Sequence, residues 1–172
     1  MRTTTVLLAL ALASPVAAQP THKPVPAPTG PKELGKFEDW IAATHEESGK
    51  TVCYAFVRAT NSAPTLPGRG PVVLTVTERP SGRDAVAISA GFGYPKGATV
   101  TLQVDTAGLD FYTAQSNAFA RDGRAVVAAF HRGAVATARS PGPREGQTVV
   151  DTFSLHGFSA AYAAITKACP PR

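Results

Sequence analysis

The stretch "DTFSLHGF", residues 151–158, sets an aspartate, a serine and a histidine within six positions, the side-chain types of a nucleophilic hydrolase. A triad needs the acid to orient the histidine and the histidine to reach the nucleophile. The run from Gln147 to His156 reads as a strand, which sends alternate side chains to opposite faces. Val149, Asp151, Phe153 and Leu155 then share one face, and Thr152, Ser154 and His156 the other. Asp151 points away from both partners, so no local triad forms. Phe153 and Leu155 read as core, Ser154 and His156 as surface.

Other reactive residue types are scattered. "GFGYPKG" has glycines at 91, 93 and 97 but neither the dinucleotide fingerprint nor the phosphate-loop ending, and reads as a loop between strands. His45 precedes Glu46 and Glu47 with no second histidine nearby, the pattern of a solvated turn. His22 stands in a Pro-rich stretch and His131 near a helix end, where a cation is favoured. No Gly-x-Ser-x-Gly elbow and no His-Glu-x-x-His helix occurs. The expectation is therefore no catalytic residue, no metal and no cofactor, short of a site assembled from distant positions. Trp40, the only tryptophan, reads as core packing.

The elements that would hold any site follow from periodicity. "KTVCYAFVRAT", "PVVLTVTERP", "AVAISAG" and "TVTLQVD" alternate or are rich in β-branched residues, as strands are. In them Val72, Leu74 and Val76 share a face, as do Val100, Leu102 and Val104. "TVTLQVD" turns at "TAG" into "LDFYT", and "AVATARS" and "QTVVDTFSLH" make a second hairpin through "PGPREG". "DGRAVVAAFHRG" breaks the pattern with Asp122 as N-cap, a helical face at Val126, Ala129 and Phe130, and Gly133 as stop. After Gly157 a second helix follows, capped by Ser159 and ended by Pro170, with Ala161, Tyr162, Ile165, Ala168 and Cys169 on one side. At least six strands and two short helices predict a mainly β chain, an antiparallel sandwich or barrel-like core with an internal and a C-terminal helix.

Composition places the compartment. Residues 1–18 combine one arginine, an apolar run and terminal small residues, the pattern of a secretory signal peptide. That run is too short to span a bilayer. Residues 19–33 read as a flexible tail, with five prolines in "QPTHKPVPAPTGP", and 34–172 as a single domain. The formal charge of +5 is concentrated at the N-terminus: from Phe37 onward there are 13 basic and 11 acidic residues. No clustered basic surface with interleaved aromatics marks a nucleic-acid binder. Arg121, Arg124, Arg132, Arg139 and Arg144 form at most a weak anion-attracting face.

The segments "FEDW", "KTVCYAF", "RGPVVLTVTERP", "AVAISAGFGYPKGATVTLQVD" and "DTFSLHGFSAAYAAITKAC", in this order, resemble the invasion-associated locus B family of exported alphaproteobacterial proteins. The resemblance runs from about Leu34 to Cys169. The strand ending at Arg79-Pro80 and the motif beginning at Asp151 carry most of it. It implies a β-sandwich with a C-terminal helix and brings no catalytic residues with it. Ala118-Phe119 stands where relatives commonly have Ala-Trp.

The function expected is an exported, non-enzymatic module of the periplasm or cell surface that binds an envelope or host protein. An exported hydrolase with an unrecognised site, or a structural or chaperone-like factor, are the alternatives. Phe92, Tyr94, Arg121, Arg124, Arg132 and Arg139 are the candidate binding surface. Cys53 and Cys169 are expected to form a disulfide: an exported chain is oxidised, the count is even, and only one intrachain pairing exists. That bond would clasp the C-terminal helix to the sheet.

Overall fold

The computed structural model describes residues 30–171. The signal peptide expected at 1–18, and the Pro-rich segment as far as residue 29, lie outside the described residues. The chain opens with three antiparallel strands, β1 (Lys32–Phe37), β2 (Trp40–Glu47) and β3 (Lys50–Arg58). A three-residue strand, β4 (Asn61–Ala63), and a long loop lead to the hairpin of β5 (Val73–Arg79) and β6 (Gly82–Ser89). A meander of β7 (Thr99–Val104), β8 (Ala107–Ala114) and β9 (Asn117–Ala120) precedes α1 (Gly123–Phe130). The hairpin of β10 (Val135–Pro141) and β11 (Thr148–Ser154) then leads into α2 (Phe158–Ala168).

All eleven strands among the described residues belong to one antiparallel sheet, ordered β1-β2-β3-β5-β6-β9-β8-β7-β10-β11-β4. The sheet is not closed, but its far end curls back. β4 follows β3 by two residues yet pairs with β11, and the Thr60 amide donates to the Thr152 carbonyl at 2.8 Å. The Trp40 indole N–H, from β2, donates to the Ser154 carbonyl of β11 at 3.0 Å.

Alternation decides what lies inside this curl. Ala42, Ala55, Val76 and Val86 stand directly opposite one another across β2, β3, β5 and β6, and all are buried. So do Val57, Leu74, Ile88 and Ala118 one step along. Val100, Leu102, Val104, Phe111 and Phe153 complete the core from the other side. The two helices cover it, and Trp40, Phe130 and Phe158 meet there as an aromatic cluster with centroids 5.0–6.3 Å apart. That position gives Trp40 its expected core role.

Several expectations shift. β1, β2, β4 and β9 did not stand out in the sequence. β1 is a largely exposed edge with no clean alternation, and β4 and β9 are three and four residues long, ordered by their neighbours rather than by their own pattern. Lys32 and Glu33, assigned to the tail, lie in β1. His45 is not in a solvated turn: it continues β2 and packs edge-on against Tyr54 at 5.4 Å, and the turn falls at Ser48-Gly49. The β7–β8 turn is at Asp105-Thr106, one residue earlier than "TAG".

α1 begins as expected, with the Asp122 carboxylate accepting from the Ala125 amide at 3.0 Å. α2 does not: Ser159 lies inside the helix, and its hydroxyl shares a 2.8 Å hydrogen bond with His131 Nδ1. The residue before α2 is Gly157, at φ 85°, where a Cβ would run into the Phe37 carbonyl. The chain reverses there by a backbone route open to glycine.

Candidate interaction surface

Charged side chains converge at two buried places among the described residues. In the first, the Arg69 guanidinium holds both Asp151 oxygens at 2.8 and 2.7 Å, and its Nε donates to the Ala90 carbonyl at 2.7 Å. Phe92 lies against the guanidinium at 5.0 Å, and Tyr94 packs edge-on against Phe92 at 5.2 Å. Burial, with the Asp151 charge adding to it, pushes the Tyr94 hydroxyl up to about 12. Asp151 is spent on an arginine, while His156 is exposed with Nδ1 3.8 Å from Glu38 Oε2. The letters of the triad do not meet.

The second lies under α2. Glu78 is wholly buried; its Oε1 accepts from the Asp84 amide at 3.2 Å, and its Oε2 sits 2.6 Å from Arg83 Nε. The Tyr162 hydroxyl donates to Asp84 at 2.6 Å, and Arg83 also donates to the Cys169 carbonyl. Burial pushes the Glu78 carboxyl up to about 7, outweighing the Asp84 amide and the Arg83 charge. Beside this cluster the Cys53–Cys169 disulfide joins β3 to the end of α2 with Cα atoms 6.0 Å apart, as expected. Both clusters tie segments together. No group of three His, Cys, Asp or Glu side chains is placed to hold a metal among the described residues.

The outer face of the sheet is different. The same alternation that buries Ala55 and Val57 turns Tyr54 and Phe56 outward. Register then aligns Ile41, Phe56, Thr75, Ala87, Phe119 and Tyr112 directly opposite one another, one from each of β2, β3, β5, β6, β9 and β8. This row crosses six neighbouring strands without a charged residue. Tyr54 and Phe56 stack at 6.1 Å, Tyr112 and Phe119 approach to 5.6 Å, and Tyr112 is 47% exposed. A parallel row of Ala43, Tyr54, Thr77 and Ala85 borders it. A shallow groove of about 600 Å³ is lined by Tyr54, Thr75 and Thr77 together with Gly30, Pro31, His45, Glu46 and Arg79. Lys36, Arg58 and Arg121 are exposed at the margins: Lys36 opposite Ile41, Arg58 opposite Val73, and the Arg121 guanidinium 5.8 Å from the Tyr112 ring.

The six surface residues expected from sequence do not form one patch. Phe92 and Tyr94 cover the Arg69–Asp151 pair. Arg121 flanks Tyr112, and Arg139 is exposed on β10 opposite Thr101. Arg124 and Arg132 belong to α1 and the turn after it. Sequence reasoning missed Arg69, Glu78 and the outer aromatic row. Alternation in "CYAFV" already marks Tyr54 and Phe56 as facing away from the core, but joining them to Phe119 and Tyr112 requires the register of four strand pairs.

A family model described as Invasion associated locus B (IalB) protein matches residues 40–166. Among solved structures, the crystal structure of invasion associated protein B from Bartonella henselae is similar in fold, with a TM-score of 0.58 and 20% identity. The match covers 78% of this chain and 95% of that one. No curated protein matches the chain.

Proposed function

The chain belongs to the invasion associated locus B family, and from that footing we propose that it is an exported, non-enzymatic binding module of the periplasm or cell surface. The signal-like first eighteen residues and a disulfide, which persists in oxidising compartments, support export. No helix among the described residues is long and apolar enough to cross a membrane. The observation that carries the binding reading is the uncharged row from Ile41 to Tyr112 on the outer face, with Lys36, Arg58 and Arg121 among the charged residues at its margins. Tyr112 is exposed and the other members of the row are half-buried; an uncharged face with aromatic anchors and a polar rim is the kind of surface that protein–protein contacts use. The partner this face fits is an envelope or host protein presenting a flat apolar surface with acidic residues at its rim, to meet Lys36, Arg58 and Arg121.

Crosslinking in living cells, followed by identification of what is captured, tests this. One reproducible partner is expected, and Thr75→Lys, which puts a charge in the middle of the row, should abolish its capture while leaving the unfolding midpoint in place. Capture indifferent to Thr75→Lys, or no reproducible partner together with turnover of a defined substrate by the purified protein, would overturn the reading.

A further inference from the structure

We propose that Cys169 is the sulfur through which the disulfide opens and closes, exchanging with a dithiol partner that enters the groove beside it. The two cysteines differ sharply in access. Cys53 is wholly buried in β3, whereas Cys169 is half-buried and lines a groove of about 470 Å³ with Lys50, Thr51, Arg79 and Arg83. An attacking thiolate can reach only a sulfur at an accessible site; of the cations there Arg79 is paired with Glu47 and Arg83 with Glu78, and Lys50 is the one placed to draw the thiolate in and to stabilise the thiolate that Cys169 becomes. Attack at Cys169 makes Cys53 the leaving sulfur, and in the core, directly opposite Glu78 across the β3–β5 pair, a bare thiolate is costly, so its departure calls for a proton.

The steps balance. A partner thiolate attacks Cys169 Sγ, the S–S bond breaks, and its electron pair goes to the Cys53 sulfur. The Glu78 carboxyl, the acid facing Cys53, supplies the proton that neutralises it. Around Glu78 stand Arg83 and Asp84 of β6, with Tyr162 of α2 bound to Asp84. Burial keeps Glu78 partly protonated at neutral pH. The partner's second thiol then attacks the mixed disulfide and releases Cys169 as thiolate; the protein has gained two electrons and the partner has become a disulfide. The reverse re-forms the bond. α2 need not leave, because the burial of Phe158, Ala161 and Ile165 and the Tyr162–Asp84 hydrogen bond hold it by contacts other than the disulfide. Opening is therefore confined to the helix end.

The oxidised protein, treated with reduced glutathione under native conditions, quenched in acid and read by peptide mass, tests this. Glutathione is expected on Cys169 in roughly tenfold excess over Cys53, at a rate unaffected by urea below the unfolding transition. Glutathione equally or mainly on Cys53, or reduction only at the rate of global unfolding, would overturn the proposal. Glu78→Gln should slow reduction roughly tenfold at neutral pH with the adduct still on Cys169. An unchanged rate removes Glu78 as the proton donor.

Discussion

Arg69 and Asp151, 82 residues apart in the chain, meet through two parallel hydrogen bonds with side chains only 7% and 3% exposed. The pair pins the loop between β4 and β5 onto β11, and the aromatic rings of Phe92 and Tyr94 shield it. Asp151 of the "DTFSLHGF" stretch is thus a buried anchor, which explains why it alternates with Val149 and Phe153 rather than with Ser154.

Removing one member of this pair strands a buried charge. Arg69→Met or Asp151→Leu alone should each lower stability by about 3–5 kcal/mol, while the double substitution recovers most of the loss. Urea unfolding of the three variants measures it. A single substitution costing under about 1 kcal/mol would mean the site admits water.

Glu78 makes stability fall as pH rises. Its folded value of about 7 lies above the ordinary 4.5, so the native state holds a proton that the unfolded chain releases. The contribution is full below pH 4.5 and is lost as pH climbs through about 7. Glu78→Gln should remove this slope, read as the urea midpoint against pH in both proteins. Parallel profiles would count against it.

The disulfide closes a loop spanning a separation of 116 residues, so its loss should cost about 4–5 kcal/mol in the chain-entropy picture. Thermal unfolding with and without reductant gives the difference. Thiol titration of the unfolded, unreduced protein should find no free thiol; two free thiols would contradict the bond.

Gly157 is held at φ 85° against the Phe37 carbonyl. Gly157→Ala meets both a strained backbone and a steric clash, so its cost should exceed the roughly 1 kcal/mol of an incompatible left-handed position alone. Gly82→Ala, where a Cβ meets nothing within 4 Å, is the control and should stay within about 0.5 kcal/mol of wild type.

Read from sequence alone, the chain already disclosed its mainly β character, the faces of its alternating strands, both helices, the core position of Trp40 and the cysteine pairing. These are local or countable properties: a period of two assigns each side chain to a face whatever the neighbouring strand is, and two cysteines admit one intrachain bond. The tertiary structure decided everything that depends on which strands become neighbours. It sends β4 to the far end of the sheet, gives Asp151 its arginine, sets Glu78 opposite Cys53, and aligns Ile41, Phe56, Phe119 and Tyr112 into one row. Register between distant strands is chosen by burying one face of every strand in a common core. The pattern inside a single strand says which face that is, and only the assembled order of the strands says what lies beside it.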